Sequence, residues 1–98
     1  MVKEKNIVKP IVEYLNSLPN CKAIKLHGSV YTIRGTPDVI CCYRGHTILI
    51  EAKTPDGSRS ESQKYQMELW QEADATVSVC RSVKEVKSLI KCCDLAFS

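Results

Sequence analysis

The 98-residue sequence has no long apolar run, 4 glycines, and a single Trp and a single Phe. No stretch approaches the ~20 consecutive apolar residues of a membrane-spanning helix. The opening Met1-Val2-Lys3-Glu4-Lys5-Asn6 has no apolar segment behind it of the kind that marks a secretory leader. Both absences lead to the expectation of a soluble, cytoplasmic protein with no membrane partner. Repeats, low-complexity tracts and linkers are missing too, so residues 1–98 read as one domain. A strong excess of charge of one sign is also absent. Lys+Arg number 14 and Asp+Glu 11, a net +3, which is compatible with a polyanionic partner without demanding one. Six cysteines are present, but none stands in C-x-x-C spacing: Cys41-Cys42 and Cys92-Cys93 are adjacent, and Cys21 and Cys80 stand alone. This argues against a zinc site and a disulfide framework, leaving most of them as reduced, small core residues.

What is present is an α/β alternation. Ile7, Val8, Ile11, Val12, Leu15 and Leu18 recur at helical spacing and predict a helix from about Lys3 to Leu18, ended by Pro19-Asn20. Pro10 inside it predicts a kink or a late start. Cys21 to His27 reads as a short strand, broken by Gly28-Ser29, and Gly35-Thr36-Pro37 is a second break. Val39–Tyr43 and His46–Lys53 read as strands around a tight turn at Arg44-Gly45. Thr54 to Ser58 is a loop. Ser60 with Gln63 forms a capping box for a helix reaching about Ala73. Ala75–Cys80 is a β-branched strand, and Ser82 caps a last helix with Val83, Val86, Leu89 and Ile90 on one face. The predicted order is α-β-β-β-α-β-α, a mixed sheet flanked by helices.

The chemistry concentrates in Gly35-Thr36-Pro37-Asp38 and Glu51-Ala52-Lys53. With Arg44 and Gly45 as turn residues, the hairpin register brings Asp38 opposite Glu51. Opposed residues share a face with Cβ atoms about 4.5–5.5 Å apart, and Lys53 lies on that face too. Two adjacent carboxylates repel unless something neutralises them. A hard divalent cation does so, and Mg²⁺ or Mn²⁺ suits oxygen ligands. In the hairpin, Val39, Cys41, Tyr43, Ile48 and Ile50 point one way, and Ile40, Cys42 and Leu49 the other. This apolar character on both sides predicts a hairpin covered on both faces. Glu4 falls on the apolar stripe of the first helix, centred near Ile11, Leu15 and Leu18, whereas Glu13 falls on the solvated side. An inward carboxylate at that position is expected to reach the metal site.

These residues resemble the PD-(D/E)XK nuclease superfamily, and within it the virus-type replication-repair nuclease (VRR-NUC) family, over nearly the whole chain. Glu4 matches the family's helix-borne Glu, Gly35, Pro37 and Asp38 its Gly-x-Pro-Asp, Glu51 and Lys53 its Glu-x-Lys, and Ser60 and Gln63 its Ser-x-x-Gln. The departures are Pro10 and the cysteines at 41 and 42. Pro55-Asp56, before Gly57, reads as a turn instead. The resemblance implies a restriction-endonuclease-like fold and Mg²⁺- or Mn²⁺-dependent hydrolysis of DNA phosphodiesters. Asp38 and Glu51 would hold the metal with the Ala52 carbonyl, and Glu4 would contribute through water. Lys53 would position the attacking water and share its proton, and Gln63 would orient Lys53 or a phosphate oxygen. Lys3, Lys5, Lys9, Lys25, Arg34, Arg59 and Lys64 are candidate phosphate contacts, although each alone is an ordinary surface charge. His27 and Tyr31 are weaker candidates for touching DNA. Trp70 and Met67 read as core or dimer surface.

No base-reading motif is visible, so the expectation is structure-selective cutting. By size and family analogy this is a homodimer resembling Holliday-junction resolvases, acting on branched DNA in repair. The small form would suit a phage. The alternatives are a flap or single-strand nuclease, and a catalytically silent DNA-binding or interaction module in which the acids merely pair with lysines.

Overall fold

A computed structural model describes residues 3–26 and 33–97. Its organising feature is the hairpin of β2 (Val39–Tyr43) and β3 (His46–Ala52). Arg44 and Gly45 both take positive φ, 52° and 83°, the combination whose twist suits a two-residue hairpin. This fixes the antiparallel register from Tyr43↔His46 to Val39↔Ile50. β1 (Cys21–Lys25) pairs antiparallel with β2, and the Leu26 N–H donates to the Asp38 carbonyl at 2.7 Å, one step past the strand ends. β4 (Thr76–Cys80) lies parallel to β3, reached through α2 (Glu61–Glu72). With α1 (Lys5–Asn16) and α3 (Val83–Ala96), the order is α-β-β-β-α-β-α around a four-stranded mixed sheet, β1-β2-β3-β4.

The first helix forms despite Pro10. Proline removes the hydrogen bond to the carbonyl of residue 6, but Asn6 and Pro10 are both exposed, so water can satisfy that carbonyl. The helix neither starts late nor stops at Pro10. Ile7, Val8, Ile11 and Leu15 of α1 and Val86, Ile90 and Cys93 of α3 pack with Val39, Cys41, Tyr43, Ile48, Ile50 and Ala52 in one buried cluster. Full burial of one such aliphatic side chain contributes roughly 1.5–3 kcal/mol. Tyr43 Oη donates to Asp94 Oδ1 at 2.7 Å, tying α3 to the hairpin end.

The opposite face differs from the sequence expectation. Leu49 is fully buried and Met67 of α2 nearly so, but Ile40 is only half-buried, Cys42 is exposed and Ile24 is 49% exposed. α2 packs over the β4 side of the sheet, and a shallow trough lined by Lys22, Ile24, Ile40, Cys42 and Thr47 stays open over β1 and β2. Apolar alternation reports which residues share a face; it does not report what lies on top of them.

The free edge of β1 is guarded. Asn16, at the end of α1, donates Nδ2–H to the Ala23 carbonyl at 3.0 Å, and its Oδ1 accepts from the Ala23 N–H at 2.8 Å. The side-chain amide thus imitates a neighbouring strand for one residue, which blunts edge-to-edge pairing. The cysteines are all free: Cys41, Cys80 and Cys93 are buried, Cys21 is half-buried, and Cys42 and Cys92 are exposed rather than core. Burial pushes the Cys41 thiol up to about 12, which leaves it unreactive.

Candidate active site

The site lies where β3 leaves the sheet. Its seven residues change from exposed at His46 and Thr47 to fully buried from Ile48 onward. Alternation sends Ile48, Ile50 and Ala52 into the main core and Leu49, Glu51 and Lys53 to the α2 side. A buried carboxylate and a buried ammonium therefore occupy consecutive positions on one face: Glu51 is 0% and Lys53 7% exposed.

Asp38 meets them from the other strand. Its Oδ2 accepts the Ala52 N–H at 2.8 Å, which anchors the carboxylate across the hairpin. Pro37, fully buried, and Gly35, with φ +88°, set the approach. A Cβ on Gly35 would collide with the Ser62 carbonyl, so only glycine lets this loop lie against the start of α2. Glu4 stands in the turn before α1, half-buried. Glu4, Asp38 and Glu51 each present a carboxylate oxygen, and these oxygens all lie within 4.8 Å of one another.

Gln63 joins helix and site. Its Oε1 accepts the Ser60 N–H at 2.8 Å while Ser60 Oγ accepts the Gln63 N–H at 3.2 Å, a complete capping box. The same side chain donates Nε2–H to Glu51 Oε1 at 2.9 Å. Lys53 Nζ stands 3.9 Å from that Oε1, a loose ion pair. Glu51 Oε2 is buried with no hydrogen-bond partner. Burial first, then the Asp38 carboxyl beside it, push the Glu51 carboxyl up to about 8 against the pull of Lys53, with a smaller push from Glu4.

An orphaned buried oxygen facing two more carboxylates costs free energy as it stands. A hard divalent cation with oxygen ligands would relieve it, so the donor set fits Mg²⁺ or Mn²⁺. The Ala52 N–H is committed to Asp38. The decoy Asp56 is exposed in a turn closed by the Gly57 N–H on the Thr54 carbonyl at 3.0 Å.

The candidate phosphate contacts are scattered. Lys3, Lys9, Lys25, Arg34, Arg59 and Lys64 are exposed, and Lys64 pairs with Glu61 at 3.3 Å. The Lys5 side chain, His27 and Tyr31 lie outside the described residues. Trp70 is 36% exposed at the surface, whereas Met67 is core. One cation near the site was not singled out from sequence. Arg81, directly after β4, donates Nη1–H to the carbonyls of Thr54 at 2.6 Å and Gly57 at 2.7 Å. The available signal was its place: an Arg at the C-terminal end of a parallel strand, beside the strand carrying Glu-x-Lys.

No protein-family model and no curated protein matches the chain. Two solved structures are similar to it. One, described as a VRR_NUC domain, has 26% sequence identity and a TM-score of 0.75, covering 93% of this chain and 97% of its own. The second, a VRR_NUC domain protein, is 16% identical with a TM-score of 0.70, covering 93% and 87%, and shows the fold alone. Neither is a close relative in sequence, yet both superpose over 93% of this chain, and they support what the four motifs indicated: the chain has the fold of the VRR-NUC family.

Proposed function

We propose that the protein is a Mg²⁺- or Mn²⁺-dependent endonuclease of the PD-(D/E)XK type that hydrolyses DNA phosphodiester bonds. One observation carries this reading most of the way: a fully buried carboxylate, Glu51, with an orphaned oxygen, lies among two further carboxylates and beside a buried lysine. The likeness to VRR-NUC domains adds to it.

Asp38, Glu51 and the Ala52 carbonyl are the proposed metal ligands, with Glu4 at longer range. A bound cation supplies a more acidic water and offsets charge on the scissile phosphate. Lys53 holds the attacking water and shares its proton. Gln63 keeps the Glu51 carboxylate oriented and, sitting at a helix N-terminus, favours a phosphate oxygen close by. Asp38 is held by the Ala52 N–H and offers a carboxylate oxygen to the cluster. The substrate is proposed to be branched DNA cut without sequence preference, by a homodimer whose two sites nick opposing strands. The whole described chain serves as one such domain.

The test compares the parent with Asp38→Asn on four-way junctions, flaps, single strands and plain duplex in Mn²⁺. Junction nicking by the parent, lost in Asp38→Asn with DNA binding retained, is the expected result. Preferential cutting of flaps or single strands changes the substrate and keeps the chemistry. No nicking by the parent in Mn²⁺, or in Mg²⁺ in its place, makes the fold a silent binding module and ends the nuclease reading.

A further inference from the structure

Arg81 has an unusual set of partners. A half-buried guanidinium ordinarily meets a carboxylate, because an uncompensated charge taken from water is costly. The ion pairs among the described residues are Arg44–Asp94, Lys53–Glu51 and Lys64–Glu61, and Arg81 is in none of them. Glu85, the acid nearest in sequence, accepts the Arg81 backbone N–H at 3.1 Å, and its carboxylate forms no ion pair with the guanidinium. The guanidinium spends Nη1 on two neutral carbonyls, Thr54 and Gly57. Its Nε and Nη2 N–H groups have no partner among the described residues. The side chain is thus fixed at one end by two neutral carbonyls, while its remaining N–H groups, which are not buried, stay open to a ligand.

Its position gives this meaning. Ala52 pairs with Cys80 in the parallel register, and the Lys53 N–H donates to the Cys80 carbonyl at 3.1 Å. Arg81 therefore leaves the sheet beside Lys53, on the neighbouring strand about 4.8 Å away. Thr54, which it grips, directly follows Lys53. A planar fork of donors, held rigid, suits the geometry of a phosphate better than a mobile lysine does.

We propose that Arg81 binds a backbone phosphate of the nucleic-acid strand at the active site, held for that purpose by the Thr54 and Gly57 carbonyls. This rests on the nuclease reading, and it adds a substrate contact that the family motifs do not include. The two carbonyls pre-set the guanidinium, so little side-chain entropy is lost on binding.

The test measures binding of a labelled DNA duplex in Ca²⁺ as a function of salt, for the parent, Arg81→Gln and Arg81→Lys. Each phosphate neutralised adds about 0.9 to the slope of log K against log salt. Arg81→Gln is expected to weaken binding roughly tenfold and to lower the slope by about one. Arg81→Lys keeps the charge, so it should keep the slope while losing a few-fold in affinity to a looser hold. Mn²⁺ binding to the protein alone should be the same in all three. Unchanged slope and affinity in Arg81→Gln overturns the proposal. So does an equal loss of slope in Arg81→Lys, which would mark Arg81 as a strap for the turn. Should Arg81→Gln fail to fold, Arg81→Lys decides through its affinity: a few-fold loss at unchanged slope supports the contact, and parental affinity overturns it. If the parent binds DNA through Arg81 but never cuts it, the phosphate site stands and the nuclease reading falls; if it binds no DNA, both fall.

Discussion

Glu51 is the residue on which most of the chemistry turns, because its cost and its use have the same origin. It is fully buried, and burial with Asp38 nearby raises its carboxyl to about 8. In the metal-free protein the folded chain therefore holds a proton that the unfolded chain releases above the ordinary carboxylate value of 4.5. The stability tied to that proton is whole at low pH and falls as pH rises from about 4.5 to about 8. Glu51→Gln keeps the shape without the titration. Thermal melts in EDTA should thus show the variant gaining on the parent, by ~5 °C or more, between pH 5 and pH 8. Added Mn²⁺ should raise the parent's melting temperature more at pH 8 than at pH 5, since the cation competes with the proton, and should leave Glu51→Gln nearly unmoved. A parent and variant whose melting temperatures run parallel across this range would show that Glu51 does not titrate as its surroundings require.

At the scale of elements, the start of α2 is where fold and site share atoms. Ser60 and Gln63 both build the cap, but only Gln63 also reaches Glu51. The two can be separated by mutation. Ser60→Ala should cost about 1 kcal/mol of stability, the usual worth of an N-cap, with nicking within about threefold of the parent. Gln63→Ala should cost a similar amount and also slow nicking by roughly tenfold or more, because a hydrogen bond to a charged group is worth about 1.5–3 kcal/mol. Denaturant melts and nicking rates measured side by side check this; equal effects of the two changes on nicking would reduce Gln63 to a cap.

The same elements show what could be read from the residues alone. The hairpin was legible because Arg44-Gly45 fixes a two-residue turn, and the turn fixes the pairing from Tyr43↔His46 to Val39↔Ile50, one step short of Asp38 and Glu51. The capping box was legible because its partners are three residues apart. The Asn16 guard on β1 was not, since nothing in local spacing marks an amide that will face a strand edge. The Arg81 grip on Thr54 and Gly57 spans 27 and 24 residues, and follows from β4 lying parallel to β3. Pro10 does not delay the start of α1, because the packing of Ile7, Val8, Ile11 and Leu15 carries the helix from Lys5 through it to Asn16.

At the scale of the molecule, the uneven covering of the sheet bears on how many copies act together. One face is closed by α1 and α3. The other carries α2 beside an open trough, and its apolar groups are exposed: Ile24 at 49% on β1, with Tyr65 at 60%, Leu69 at 40% and Trp70 at 36% on α2. Leu95 on α3 is exposed as well, at 80%, but an open trough together with four exposed large apolar side chains on the side that carries α2 is the kind of surface that is usually covered. A two-fold axis over this face would use one patch twice, with α2 of each copy facing the trough of the other. On this basis the protein should sediment at about twice 11.0 kDa at micromolar concentration. Leu69→Glu with Ile24→Lys should return it to a monomer that still binds Mn²⁺, since neither residue belongs to the carboxylate cluster. Separated copies should nick a four-way junction on one strand at a time, where the dimer cuts both in a single encounter. A parent that sediments as a monomer across that range, yet still makes paired cuts, would place the second active site elsewhere and leave the open face for another use.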